Sequence, residues 1–263
     1  MKVNRREFIV GAVTGASTTG VLCLAGGTIA GRRPAPRPTQ AAAPNTPHQG
    51  RRSFSQQGED LVLFNLLHDE LRLKAPTYLD IGAGDPILSN NTYLLYCAGS
   101  RGVLVEPNPT MVERLRSVRP NDVVVQAGVG VTEAAEADYY VIRGQWALNT
   151  FSAEMVAKLR RQLCEDPVEK VMKIPLMSIN RLIADYFKQA PDLVSIDIEG
   201  LDLAVLRTLD FKRFRPATIC AEAKGPSAEH DDTPIARLLK SNGYVACAGS
   251  LYNTIFADRS RLG

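Results

Sequence analysis

No C-x-x-C pair occurs in this 263-residue chain, and its five cysteines (Cys23, Cys97, Cys164, Cys220 and Cys247) are scattered. That spacing argues against a disulfide framework and against a cysteine zinc site. Cys220 and Cys247 lie in apolar runs and are expected to be small buried residues. Aromatics are sparse, with a single tryptophan, Trp146. No basic stripe with interleaved aromatics is present, which sets nucleic acid aside as a partner. A strongly apolar run is lacking too. Residues 8–31 carry no charge, but glycines and hydroxyl residues such as Gly11, Thr14, Ser17, Gly20 and Gly26 dilute them. The run has the ~20-residue length of a spanning helix without its hydrophobicity.

Charge of one sign is confined to the N-terminus. Residues 1–52 hold eight Lys/Arg against the single acid Glu7, a balance of +7; the whole chain stands at +3, so residues 53–263 are at −4. Asn4-Arg5-Arg6-Glu7-Phe8-Ile9 resembles a twin-arginine export signal. Small residues at Thr28-Ile29-Ala30 and at Ala41 to Ala43 offer cleavage positions, whereas Leu22 before Cys23 disfavours a lipoprotein anchor. Residues 1–30 are therefore expected to be an export signal, or else an anchor contacting the membrane through residues 8–30. Five prolines in residues 31–52 predict a disordered tether. Residues 53–263 form the globular domain. The N-terminus thus points to the cell envelope and the export machinery. With Arg32 and Arg33 as inside charges, the alternative is the cytosolic face of the membrane.

The stretch Thr77-Tyr78-Leu79-Asp80-Ile81-Gly82-Ala83-Gly84 ends an apolar strand in an acid and a glycine turn. Glycine lets the backbone take φ > 0 and approach a ligand. Residues 102–105 form a second apolar run that closes in Glu106. A glycine turn after one strand and a carboxylate after the next is how open α/β sheets grip a ribose-bearing cofactor. Glu106 can accept two ribose hydroxyls at once. Asn108 and the Ala127-Gly128 backbone would lie near a base.

Further along, strands are expected at 103–106, 123–126, 193–199 and 218–221. Extended stretches are expected at 137–143 and 171–176, and helices at 110–118, 152–163, 179–187, 201–209 and 234–241. Leu61, Phe64, Leu67 and Leu71 give an opening helix its apolar stripe, and Asn90 and Asn91 are set to cap the next one. Two last runs, 244–248 and 254–257, are close enough to pair antiparallel at a sheet edge. Strands alternating with helices predict a mostly parallel sheet covered on both faces.

The chain resembles the FkbM-type methyltransferases from Ser53 to about Asp258. The resemblance rests on Ser55-Gln56-Gln57-Gly58-Glu59-Asp60, Leu79-Asp80-Ile81-Gly82-Ala83-Gly84 and Ser89-Asn90-Asn91-Thr92-Tyr93. It extends to Val105-Glu106-Pro107-Asn108-Pro109, Asp197-Ile198-Glu199-Gly200-Leu201-Asp202 and Asn253-Thr254-Ile255-Phe256. It implies the class I methyltransferase (Rossmann-like) fold, a mostly parallel seven-stranded sheet with helices on both faces and an antiparallel edge hairpin. It also implies S-adenosylmethionine as cofactor and methyl transfer to an oxygen of a sugar or small metabolite, a small-molecule or glycan acceptor. In those terms Gly82, Ala83 and Gly84 receive the methionine end, and Asp80 fixes its ammonium or a bound water.

Asp197 and Glu199 share one face of their strand at period two. Asp197 is the candidate base or sulfonium neighbour, and Glu199 a candidate substrate contact. Trp146 either lines an acceptor pocket or pins a loop. His230-Asp231-Asp232 with Glu222 could form a metal site, but Asp232-Thr233-Pro234 fits a helix N-cap better, and no metal is expected. Two other readings stand beside methyl transfer. One is a nucleotide-dependent oxidoreductase, weakened because Ile87 stands where G-x-G-x-x-G needs its third glycine. The other is a non-catalytic envelope protein on a methyltransferase scaffold.

Overall fold

A computed structural model of the chain describes residues 50–132, 135–145, 148–163, 166–198, 200–222 and 232–263. In chain order the first elements are α1 (Glu59–Asn65), a π-helical turn (Leu66–Glu70), β1 (Tyr78–Ile81), α2 (Tyr93–Cys97), β2 (Gly102–Val105) and α3 (Pro109–Val118). Next come β3 (Val123–Val125), β4 (Gly128–Val129), β5 (Glu136–Ile142), α4 (Ala153–Gln162) and β6 (Val168–Met177). The last are α5 (Ile179–Tyr186), β7 (Leu193–Ile196), α6 (Asp202–Thr208), β8 (Thr218–Glu222), α7 (Pro234–Ser241), β9 (Tyr244–Gly249) and β10 (Asn253–Asp258).

Seven strands form one sheet in the order β3-β2-β1-β7-β8-β10-β9. The first five run parallel; β10 lies antiparallel to β8 and to β9. This is the expected class I methyltransferase architecture. Chain progression reverses between β1 and β7, and the carboxyl ends of such a strand pair are where open α/β sheets form their ligand crevice.

Strand alternation divides the core in two. Leu79, Ile81, Val103, Val105, Val194, Ile196 and Ile219 pack with Ile179, Leu182, Ile183, Val205, Leu206 and Leu239 from α5, α6 and α7. Tyr78, Leu104, Leu193, Cys220 and Ile255 point to the other face, against Leu63, Leu67, Leu95 and Leu115. Capping fixes the helix starts: Asn108, Ser178 and Thr233 each accept a first-turn amide, and Pro109 and Pro234 stand at the first helical positions.

Four features depart from the sequence reading. The opening helix is not a continuous α-helix. Its last turn is π, with the Leu71 amide donating to Leu66 O at 2.9 Å, and Leu71 still packs, half-buried, against the core with Phe64 and Leu67. Asn90 alone does the capping before α2, accepting from the amides of Thr92 and Tyr93; Asn91 donates to Ser195 Oγ instead. A second sheet, β4-β6-β5, was not anticipated: β5 and β6 pair antiparallel across the intervening α4. Cys247 is exposed, because the β9–β10 register slips there and the bulge leaves it unpaired on an edge strand.

Among the described residues no helix is long and apolar enough to cross a membrane. The twin-arginine-like segment 1–30 and nearly all of the 31–52 tether lie outside the described residues, as do Trp146, Glu199, His230 and Asp231.

Candidate active site

The crevice is built from the segments that leave the carboxyl ends of β1, β2, β7 and β8. After β1 the amides of Gly82 and Ala83 both donate to Val105 O, at 2.9 and 3.2 Å, which folds the turn over the end of β2. Gly82 has φ +81°, and a Cβ there would strike the carbonyl oxygen of Asp197. The position requires glycine because two backbone segments meet with no room for a side chain. The Asp197 amide in turn donates to Ile81 O at 3.0 Å.

Glu106 is the hinge of the site. One carboxylate oxygen accepts from the Gly84 amide at 2.9 Å and the other from the Asn108 amide at 2.8 Å. The residue is only 6% exposed. Burial pushes its carboxyl up to about 7, against the two amides that favour the charge, and the Asp80 carboxylate adds to the rise. A carboxylate has about four acceptor positions; two are used by the protein, which leaves two for paired hydroxyls.

Asp80 shares the strand face of Tyr78 and points into the packed side under α2 and α3. Its Oδ2 accepts from Thr92 Oγ1 at 2.7 Å, and it is 4% exposed. Burial raises its carboxyl above the ordinary range and the nearby Arg119 opposes that. Asp80 thus braces the turn from beneath through Thr92. Asn108 is likewise engaged: its Oδ1 accepts from Thr110 N at 3.0 Å as the cap of α3. Ala83 and Ala127 are buried. Gly128 belongs to β4, opposite Leu176, and a Cβ there would run into Phe151 and Leu176.

On the other wall, Asp197 directly follows β7 and is half-buried. The β7–β8 register sets it beside Glu222 at the end of β8, and Glu222 pairs across to Asn253 of β10. Asp202, at the start of α6, is an acid that the sequence reading did not single out. Its carboxyl accepts from the amides of Ile198 and Gly200 at 3.4 and 3.2 Å. Burial pushes it up to about 7, and repulsion from Asp197 and then Glu222 adds to the rise. Asp197, Asp202 and Glu222 thus make an acidic wall on the β7–β8 side of the crevice.

Asp232 is exposed and pairs with Arg237 at 2.7 Å, while Thr233 caps α7 through the Ala236 amide; these residues serve the helix start. Among the described residues no three His, Cys, Asp or Glu side chains gather as a metal site. The largest surprise is Arg119, with no exposed surface and an ion pair to Asp122 at 2.8 Å. A lone arginine at a helix end carries no sequence signal of burial.

A family model described as the methyltransferase FkbM domain matches residues 80–246. No curated protein matches the chain in sequence. Among solved structures, the chain is similar to a TehB-like SAM-dependent methyltransferase from Corynebacterium glutamicum, at 10% identity and TM-score 0.40, covering 77% of this chain and 88% of that one. It is also similar to a precorrin-6y C5,15-methyltransferase from Geobacter metallireducens (15% identity, TM-score 0.37, 76% and 86% covered). A third is an O-methyltransferase from Bacillus cereus in complex with SAH (14% identity, TM-score 0.36, 76% and 79% covered).

Proposed function

Because the chain belongs to the FkbM methyltransferase family, we propose that it is an S-adenosylmethionine-dependent O-methyltransferase acting on a sugar or small-metabolite hydroxyl. The observation that carries this reading is Glu106, a buried carboxylate held at the crevice by two backbone amides with acceptor positions to spare. Paired ribose hydroxyls supply the donors it lacks. S-adenosylmethionine would supply a methyl on a sulfonium: the hydroxyl oxygen bonds to the methyl carbon as the carbon–sulfur bond breaks, and neutral S-adenosylhomocysteine leaves.

The protein's work is then alignment and proton removal. The glycine turn brings backbone close to the ligand at Gly82 to Gly84. Glu106 fixes the ribose, and the backbone around Ala127 and Gly128 bounds the base. Asp197 stands one strand away from the turn, where it takes the proton that the acceptor hydroxyl gives up as its oxygen bonds to carbon. The acidic wall keeps an incoming hydroxyl polar contacts on the β7–β8 side.

Titrating the full-length protein with S-adenosylhomocysteine and, separately, with NAD tests the reading. Saturable binding of the first alone is expected. Heat of binding from NAD and none from S-adenosylhomocysteine would replace methyl transfer with nucleotide-dependent redox chemistry. Transfer of labelled methyl to a panel of sugar and metabolite alcohols then finds the acceptor.

A further inference from the structure

Arg119 ends α3 with its guanidinium fully buried. Nε donates to Asp122 Oδ2 at 2.8 Å, one terminal nitrogen to Asn90 Oδ1 at 3.2 Å, and the other to Tyr78 Oη at 2.9 Å and Thr92 Oγ1 at 3.0 Å. The rings of Tyr78 and Tyr96 lie 5.4 and 5.2 Å from its central carbon. A buried cation is tolerated only when its donors are matched. Here the partners lead to one place. Thr92 passes the contact on to Asp80 at 2.7 Å. Asn90, whose oxygen faces Arg119, donates through Nδ2 to the carbonyls of Ala83 at 3.0 Å and Asp85 at 3.2 Å. Asp122 also accepts from the Gly102 amide at 2.9 Å, at the start of β2.

We infer that Arg119 is a positioning residue for the glycine turn. It fixes Asn90 and Thr92, and these hold the carbonyls of Ala83 and Asp85 and the carboxylate of Asp80, so that the Gly84 amide stays aimed at Glu106. The inference rests on the adenosyl-ligand reading of that turn. Lysine cannot replace it: a single ammonium keeps the charge but cannot span Asp122, Asn90, Tyr78 and Thr92 as the planar fork does.

The test uses the full chain as wild type, Arg119→Lys, Arg119→Met and Val112→Ala, the last a buried change on the same helix outside the network. Two quantities are read well below each melting temperature: the Kd for S-adenosylhomocysteine and amide exchange across residues 80–90. Both Arg119 variants are expected to weaken binding about tenfold or more and to speed exchange in that segment. Val112→Ala is expected to lower the melting temperature and do neither. Folded Arg119 variants with unchanged Kd and exchange overturn the inference; so does Val112→Ala reproducing both effects at equal loss of melting temperature. Should the Arg119 variants not fold, Thr92→Val removes only the hydroxyl joining Arg119 to Asp80 and carries the same expectation. If the wild type binds no S-adenosylhomocysteine, the cofactor reading fails, and the exchange measurement alone decides the role of Arg119.

Discussion

Glu106 Oε2 accepts the amide proton of Gly84 at 2.9 Å, which joins the acid closing β2 and the turn following β1 into one hydrogen-bonded unit. Glu106→Gln keeps the size and breaks the logic. Either orientation of the amide sets an N–H2 against the N–H of Gly84 or of Asn108, leaving a buried donor unmatched at a cost of about 1–3 kcal/mol. Ligand affinity is expected to fall roughly tenfold to a hundredfold, read as the Kd for S-adenosylhomocysteine. A variant that binds as tightly as wild type removes Glu106 from the ribose site.

The same carboxyl makes binding and stability depend on pH. Its ordinary value of 4.5 is raised to about 7 in the fold, so between those values the folded state keeps a proton that the unfolded chain has lost. Stability is therefore expected to fall as pH rises through that window and to level off above about 7. Asp202, raised from 3.8 to about 7, acts in the same direction. Hydroxyl donors favour the ionised form of Glu106, so S-adenosylhomocysteine should release a proton on binding near pH 6.5 and bind more tightly toward pH 7. Calorimetry in two buffers of different ionisation enthalpy measures that proton. No release in the wild type, or equal release in Glu106→Gln, defeats the assignment.

Much of this was legible in the residues. Apolar runs and glycine turns placed β1, β2 and β8 to within a residue, because a buried parallel strand has few other ways to look; β7 ends at Ile196, short of the expected 199, so Asp197 follows the strand rather than lying on it. The sequence order of Gly82, Glu106 and Asp197 likewise foretold a crevice, since α/β sheets converge their carboxyl ends. Side-chain direction and long-range pairing were harder to read. Asp80 precedes the turn, but only the fold shows that it alternates with Ile81 and meets Thr92. The β5–β6 pair was hidden by the helix between its strands and by faces that are mostly half-buried or exposed rather than buried. Arg119 left no trace, since its burial depends on Tyr78, Asn90, Thr92 and Asp122 arriving from separate elements.

Gly82→Ala and Gly144→Ala separate conformational strain from collision. Both glycines have positive φ, +81° and +66°, and alanine in that region costs about 1–2 kcal/mol. At Gly144 no described residue lies within reach of an added Cβ, whereas at Gly82 it meets the Asp197 carbonyl. With a shift of about 2–4 °C per kcal/mol for a domain of this size, Gly144→Ala should lower the melting temperature by a few degrees and leave ligand binding alone. Gly82→Ala should lower it further and abolish binding, because the strand end it displaces carries the proposed base. Equal melting temperatures for the two would mean that the Gly82–Asp197 approach is not tight.

Asp197→Asn tells apart the two roles open to that residue. As the base that takes the acceptor proton, its loss should lower kcat by about 10²–10⁴-fold while S-adenosylmethionine and S-adenosylhomocysteine bind as before. As a counter-charge to the sulfonium, its loss should weaken S-adenosylmethionine selectively, because S-adenosylhomocysteine carries a neutral sulfur. Unchanged turnover and unchanged affinity for both ligands would strip Asp197 of either role. A stability effect should accompany the kinetic one: after burial, Asp197 is the leading cause holding the Asp202 carboxyl up at about 7. Neutralising Asp197 lets Asp202 ionise at lower pH in the folded state, so the variant should melt higher than wild type at neutral pH. A slow enzyme that is more stable is what a wall of repelling carboxylates kept for chemistry predicts.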